Sequence, residues 1–438
     1  DYDAVTFNGK VVSYQTTDTV AATGDADRIS TGDGNNTIIG GIGSDTITTG
    51  IGTDTILGDN GLVRLNDATQ LSAAAPAAGA VFVQILSTNL DLGGDDVITT
   101  GAGDKNVIGG FGKDTIGTGV GNHLILGDNG QVDYDALTFN GKVVSYQTTD
   151  TVAATGDADT ISTGDGNNTI LGGMGLDTIT TANGIDTILG DNGLVQLNTT
   201  NTLAAAGAVF VQIVSTNRDL GGDDVITTGA GDKNIVGGFG KDTITTGAGN
   251  HIILGDNGQV DYDALTFNGK VVSYQTTDTV AATGDADTIS TGDGNNTIFG
   301  GMGADKITTA NGTETILGDN GLVQLNTTNT LAAAGAAFVQ IVSTNLDLGG
   351  HDVITTGTGD KNIVGGFGKD TITTGTGNHI IAGDNAQVDY DAQTFNGKVV
   401  SYQTTDTIAA TGDADTISTG DANNTILAGM GSDTITTG

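Results

Sequence analysis

One β-branched residue returns every nine positions along most of this 438-residue chain. Ile29, Ile38, Ile47 and Ile56 form one such series, and Ile98, Val107, Ile116 and Ile125 the next. The ladder starts again at Ile161, Ile226, Ile289, Ile354 and Ile417, with glycine, aspartate and threonine between the rungs. A period of nine in that company cannot make an amphipathic helix. It fits very short strands joined by tight turns, each strand pointing its branched residue inward. The chain reads as an all-β solenoid.

Longer repeats contain the short ones. Asp1-Tyr2-Asp3-Ala4 returns at Asp133, Asp261 and Asp389, which divides one continuous array into 1–132, 133–260, 261–388 and a truncated 389–438. The chain opens without Met and stops partway through its fourth copy, as expected of a piece of a longer array. Each copy has two related halves: Thr155-Gly-Asp-Ala-Asp159-Thr-Ile161 aligns with Leu220-Gly-Gly-Asp-Asp224-Val-Ile226. A half is four nonapeptides followed by a segment of different character, such as 131–154 or 194–219. The first of these reads as two strands around Asn140-Gly141, a favoured two-residue hairpin turn, and carries Tyr134 and Tyr146. The second pairs Leu194-Val-Gln-Leu with Val209-Phe-Val-Gln-Ile-Val around an Ala-rich link, whose longer version holds Pro76. Both read as hairpins leaving the solenoid or as widened coils of it.

The charge balance narrows the function. There are 52 acidic residues against 14 basic ones, for a net charge of −38. Glu314 is the only glutamate. Such a chain repels nucleic acid and anionic membrane, and no apolar run approaches the roughly 20 residues that cross a bilayer. Without cysteine there is no disulfide, thiolate metal site or cysteine nucleophile. Aspartate is the short-armed acid that sits in turns and holds a hard cation close to the backbone. The acids therefore point to repeated metal-binding turns.

The third nonapeptide of each half carries the clearest motif. Gly40-Gly-Ile-Gly-Ser-Asp45-Thr-Ile47, Gly109-Gly-Phe-Gly-Lys-Asp114-Thr-Ile116 and Gly172-Gly-Met-Gly-Leu-Asp177-Thr-Ile179 follow G-G-x-G-x-D-x-U-x, with U a large aliphatic. In the last half Ala428 replaces the first glycine. The chain thus resembles the RTX, or haemolysin-type, calcium-binding repeats. The resemblance implies a right-handed parallel β-roll or β-solenoid of 18-residue coils, here interrupted by β-hairpin segments. It also implies that the aspartates and loop carbonyls hold several Ca2+ ions, and that the chain is secreted unfolded and folds outside the cell.

An 18-residue coil puts alternate nonapeptides on opposite edges. On the first edge the metal position reads Asp27/Asp45, Asp96/Asp114, Asp159/Asp177, Asp224/Asp242, Asp287/Asp305, Asp352/Asp370 and Asp415/Asp433. On the second it reads Asn36/Asp54, Lys105/His123, Asn168/Asp186, Lys233/His251, Asn296/Glu314, Lys361/His379 and Asn424. The first edge is expected to be fully calcium-loaded. The second is expected to be mixed, with Asp54 and Asp186 as ligands. There the Lys105, Lys233 and Lys361 ammonium groups replace an ion against Asp104, Asp232 and Asp360. The histidines read as turn residues, because no H-E-x-x-H zinc pattern is possible around a lone glutamate. Gly-Asp-Asn-Gly, which precedes each hairpin, reads as a tight exit turn, with a calcium site at the junction as the alternative.

Ile42, Phe111, Met174, Phe239, Met302, Phe367 and Met430 fill the x after Gly-Gly and read as exposed tips, covered by a hairpin or by another copy of the chain. Thr-rich runs such as Thr46-Ile-Thr-Thr form outward hydroxyl ladders. Every candidate acid–base group is copied along the chain, which argues for length and against a single active site. The expected function is structural: a calcium-rigidified spacer, fibre or matrix segment of a long bacterial surface protein or adhesin. A ligand-binding solenoid, for ice or polysaccharide, is the alternative. That alternative requires one flat, hairpin-free face carrying the threonine ladder.

Overall fold

In the computed structural model the described residues are 2–3, 10–65, 82–135, 142–197, 210–263, 270–325, 338–391, 398–407 and 411–438. The Asn140-Gly141 turn and the Ala-rich link with Pro76 lie outside them. Among the described residues the regular structure is strands and three single-turn 3-10 segments, and no helix is long and apolar enough to cross a membrane.

The nine-residue ladder builds two parallel sheets. Odd-numbered nonapeptides of each half supply an outer sheet of 14 strands, such as Thr46–Thr49, Val97–Thr100 and Thr115–Gly117. Even-numbered ones supply a central sheet of 13 strands, such as Asp54–Leu57, Lys105–Gly110 and Leu124–Asp128. Registers are in phase, with Ile98 beside both Ile47 and Ile116 and Val107 beside both Ile56 and Ile125. Pairing continues across the long-repeat boundaries, as in Ile116 with Ile161 and Ile244 with Ile289. The isoleucines of the two sheets meet in one interior column, most of them fully buried. Burying one such side chain contributes about 1.5–3 kcal/mol, so this column drives closure of the coils.

The described strands of the hairpin segments leave the roll and form a sheet of their own, so the coils are not widened. These strands, such as Gly61–Leu65, Phe82–Ser87, Gly130–Asp135 and Lys142–Thr148, pair with one another in a continuous antiparallel sheet of 13 strands. This third layer lies on the back of the central sheet. Leu57, Ile108, Leu126 and Leu171 of the central sheet pack there against Val63, Ile85, Val132, Tyr146 and Val195. The central strands are therefore apolar on both faces, as parallel strands covered on both sides must be. Asp54–Leu57 is buried at all four positions, whereas Val97–Thr100 of the outer sheet alternates exposed and buried.

Each half adds two strands to every sheet. Its two coils advance both parallel sheets by two strand spacings, and its hairpin advances the third sheet by the same amount. All three layers therefore grow at one rate of about 4.8 Å per strand, and the hairpins fit without strain between layers.

Candidate metal centre

The chain reverses at two edges. At the first edge, central strands turn back to outer strands through the Gly-Gly-x-Gly-x-Asp loops, and hairpins leave and return. The predicted first-edge aspartates stand there in one column. The Asp27 N–H donates to Asp45 Oδ1 at 2.7 Å, Asp45 N–H to Asp96 Oδ1 at 2.7 Å and Asp96 N–H to Asp114 Oδ1 at 2.8 Å. The relay continues through Asp159, Asp177, Asp224, Asp242, Asp287, Asp305, Asp352, Asp370 and Asp415 to Asp433. The pairs seen at 18-residue spacing are thus stretches of one unbroken column, with hairpin segments skipped between them.

Each carboxylate spends Oδ1 on this relay. The other oxygen, Oδ2, is buried without a hydrogen-bond partner in every column member from Asp45 to Asp415. Asp27 and Asp433, at the two ends, are less enclosed. A Cβ placed on Gly40 would collide with Asp45 Oδ2 and the Gly58 carbonyl oxygen, and one on Gly172 with Asp177 Oδ2 and the Gly190 carbonyl. The first glycine of the motif is thus required by space, and the second by backbone angle, with φ of 113° at Gly41. Aspartate Oδ2 and a glycine carbonyl converge over each such glycine, a pair of hard oxygen donors of the kind calcium takes. Among the described residues no three His, Cys, Asp or Glu side chains converge on one point, so main-chain carbonyls must complete any cation's shell. The donor set fits calcium.

Without a cation the column is electrostatically unfavourable. Burial, reinforced by neighbouring carboxylates, pushes Asp370 up to about 9. Burial also raises Asp96, Asp177 and Asp305 to about 8, against hydrogen bonds from the preceding aspartate's N–H that lower them. Asp114, Asp159, Asp224, Asp242, Asp287 and Asp352 are likewise raised well above the usual carboxylate range, first by burial.

The Gly-Asp-Asn-Gly aspartates join this edge, which sequence reading left open. Asp59, Asp128, Asp191, Asp256, Asp319 and Asp384 are all buried. Each accepts, through Oδ2, the N–H of a tip residue one half further on: Phe111, Met174, Phe239, Met302, Phe367 and Met430 respectively. Those tips were expected to be covered by a hairpin or by another copy of the chain. Ile42, Met174 and Met302 are buried by their own chain, and the other four are half-buried. Their recurring signal was an aspartate that never varies from copy to copy.

The second edge is built differently. Asp54 Oδ1 accepts the N–H and Nδ2–H of Asn36, and its Oδ2 accepts Thr49 Oγ1–H and the Lys105 ammonium at 3.0 Å. Asp186 has the same partners in Asn168, Thr181 and Lys233, with the ammonium at 2.9 Å. Glu314 pairs with Lys361. All six ion-pair side chains are wholly buried. Burial raises Asp54, but hydrogen bonds led by Lys105 outweigh it and hold the carboxyl low.

The lysines do not face Asp104, Asp232 and Asp360, as expected from sequence. Those aspartates are exposed and accept N–H groups of Asn122, Asn250 and Asn378. Each ammonium instead reaches the carboxylate of the preceding half. It also takes two main-chain carbonyls: Gly52 and Ala102, Gly184 and Ala230, or Gly312 and Thr358. One carboxylate and two carbonyls around a positive charge is a cation's donor set occupied by a side chain. His123, His251 and His379 are buried and kept neutral by that burial, each within 3.0 Å of a carbonyl through Nε2.

A family model of the RTX calcium-binding nonapeptide repeat (4 copies) matches residues 21–56, 92–122, 153–188, 219–253, 234–259, 275–307, 282–316, 348–381 and 402–435, more than half of the chain. The search of curated proteins gives no match.

Proposed function

The chain belongs to the family of RTX calcium-binding nonapeptide repeats, and from that premise we propose that it is a calcium-stabilised structural segment of a long secreted bacterial surface protein. One observation carries the reading: an unbroken column of aspartates, in which every member from Asp45 to Asp415 is buried and keeps one oxygen free beside a main-chain carbonyl. Asp45, Asp96, Asp114, Asp159, Asp177, Asp224, Asp242, Asp287, Asp305, Asp352, Asp370 and Asp415 would hold calcium through Oδ2, with Asp27 and Asp433 closing the column. Calcium there supplies positive charge between carboxylates of successive coils, which favours the stacked state. Asp54 and Asp186 stand outside this set, because both of their oxygens are already partnered. Fourteen strands at about 4.8 Å make a rod of roughly 60 Å, a shape suited to spacing and not to turnover. Folding then belongs outside the cell, where millimolar calcium suits modules with dissociation constants of roughly 10⁻⁴ to 10⁻³ M. Equilibrium dialysis against calcium tests the reading. Several ions per chain at millimolar calcium are expected, and a chain that binds none overturns it.

A second reading, a face for ice or polysaccharide, is favoured by the position of the hairpins. The described hairpin strands all lie on the central sheet, and among the described residues none lies over the outward face of the outer sheet. Thr48, Thr99, Thr180 and Thr227 are exposed there, with Ser162 between them. Val97, Val225 and Val353 interrupt the neighbouring column of hydroxyls. If this face binds ice, Thr180→Lys and Thr227→Lys abolish crystal shaping by the calcium-loaded chain. Equal shaping by wild type and variants removes the reading.

A further inference from the structure

The two hairpin types leave the roll through junctions that are chemically unlike. Under the Ala-rich type, Asp59, Asp191 and Asp319 have both oxygens occupied. Oδ2 takes the tip N–H, and Oδ1 takes the N–H of Gly94, Gly222 or Gly350 at 3.1, 3.0 and 2.9 Å. The returning strand brings a neutral residue, Asn89, Asn217 or Asn345. Under the Tyr-bearing type no such glycine N–H arrives. Asp128, Asp256 and Asp384 are fully buried, yet Oδ1 of each has no partner.

The returning strand in that type brings a second acid. Thr88 and Thr149 occupy equivalent places, since their N–H groups bond the Asn60 and Asn129 carbonyls. The next residue is therefore Asn89 in one type and Asp150 in the other. Asp150, Asp278 and Asp406 accept the Nδ2–H of Asn129, Asn257 and Asn385 through Oδ1, at 3.1, 3.1 and 3.0 Å. Their Oδ2 is buried and unpartnered. Asp150 is itself fully buried and Asp278 nearly so. Each second acid is bonded to the asparagine next in sequence to the first and lies near enough for its charge to raise the first carboxyl. Two such neighbouring carboxylates, each with one buried free oxygen, cannot both carry charge without a counter-ion. The Ala-rich type avoids the problem with asparagine and a glycine N–H.

We propose that Asp128 with Asp150, Asp256 with Asp278, and Asp384 with Asp406 each form a divalent-cation site at the root of a Tyr-bearing hairpin. The sites use the hard-oxygen chemistry of the calcium reading, on which they rest, but their residues lie outside the G-G-x-G-x-D-x-U-x motif. Bound there, the ion ties the exit of each hairpin to its return and so clamps the third sheet to the roll. The three are not equal. Arg218 stands where the other two junctions have Leu90 and Leu346, as the shared carbonyl bonds from Asn257, Asn129 and Asn385 show. Its guanidinium acts on Asp278 and lines, with Asp219 and Thr279, an open cavity of about 360 Å³. That resident positive charge makes the Asp256/Asp278 site the weakest.

Native mass spectrometry of the full chain in calcium tests this by counting ions. The variant D150N/D278N/D406N copies the chain's own asparagine junctions and is expected to keep its β spectrum while binding three fewer ions. The single variant D150N, expected to bind one fewer, serves the same purpose if the triple variant folds poorly. A wild type that loads calcium alongside variants with an unchanged count overturns these sites and leaves the first-edge column standing. A wild type that takes up no calcium overturns both.

Discussion

Chelating calcium at neutral pH is expected to unfold this protein, with loss of the β signal in the far-ultraviolet circular dichroism and expansion of the scattering radius. In a metal-free roll, Asp96, Asp177 and Asp305 would have carboxyl pKa values near 8 and Asp370 near 9, against an unfolded value near 4. At pH 7 the folded chain would hold a proton on each while the unfolded chain holds none. Each group then costs about 4 kcal/mol at 1.36 kcal/mol per pH unit. Four such groups already match or exceed the 5–15 kcal/mol that keeps an ordinary domain folded. The sign is that of raised acids: the penalty is absent below about pH 4 and grows as pH rises toward 8. Acid should therefore stand in for calcium, and lowering the pH of the chelated chain toward 4 should restore β structure. The measurement calls for dilute protein, because the isoelectric point of about 4.1 favours association. A chelated chain that keeps its β spectrum at pH 7 contradicts the account.

Replacing Lys233 with alanine is the second large effect. It strands Asp186 in the interior with its main counter-charge gone, and removing one partner of a buried pair costs about 3–5 kcal/mol. Lys105→Ala and Lys361→Ala act on Asp54 and Glu314 in the same way. The double change Lys233→Met with Asp186→Leu should recover most of the loss, because a buried pair is worth little more than apolar residues of similar size. Raising calcium should also restore part of the Lys233→Ala loss, since the Asp186 carboxylate and the Gly184 and Ala230 carbonyls then offer an ion the oxygens the ammonium held. Thermal unfolding in calcium, single against double variant, checks both. Equal midpoints for wild type and Lys233→Ala reject the ion-pair role.

The parallel roll and the first-edge aspartates were legible because both rest on local periods: nine for the core, eighteen for the carboxylates. The third sheet was harder. Val195 and Leu197 flank Gln196 and so announce one apolar face, but nothing local says what that face covers. The answer lay in the central strands, where Ile56-Leu57, Ile125-Leu126 and Ile170-Leu171 put apolar residues at adjacent positions and so on opposite faces. The partner of Lys105 was missed because Asp54 stacks next to it only after a whole hairpin segment has been looped out. Asp104, one residue away in sequence, points to solvent. The bond that holds the tips was hidden for a related reason: the Phe111 N–H goes to Asp59, from the previous half.

The reach of each lysine into the preceding half sets the unit in which the gene can change length. All three layers would stay in step if a single half of about 64 residues were gained or lost, since each half adds two strands everywhere. Charge forbids it. Two Lys/His halves in succession would bury an ammonium with no acid, and two Asn/Asp halves would bury an acid with no ammonium. Recombination between copies is therefore expected to cost least when it exchanges both halves together. In keeping with that, near-identical sequence recurs from Asp133 to Asp261 to Asp389 while the two halves inside each copy differ. Among natural variants of this array, length should change by whole pairs of halves.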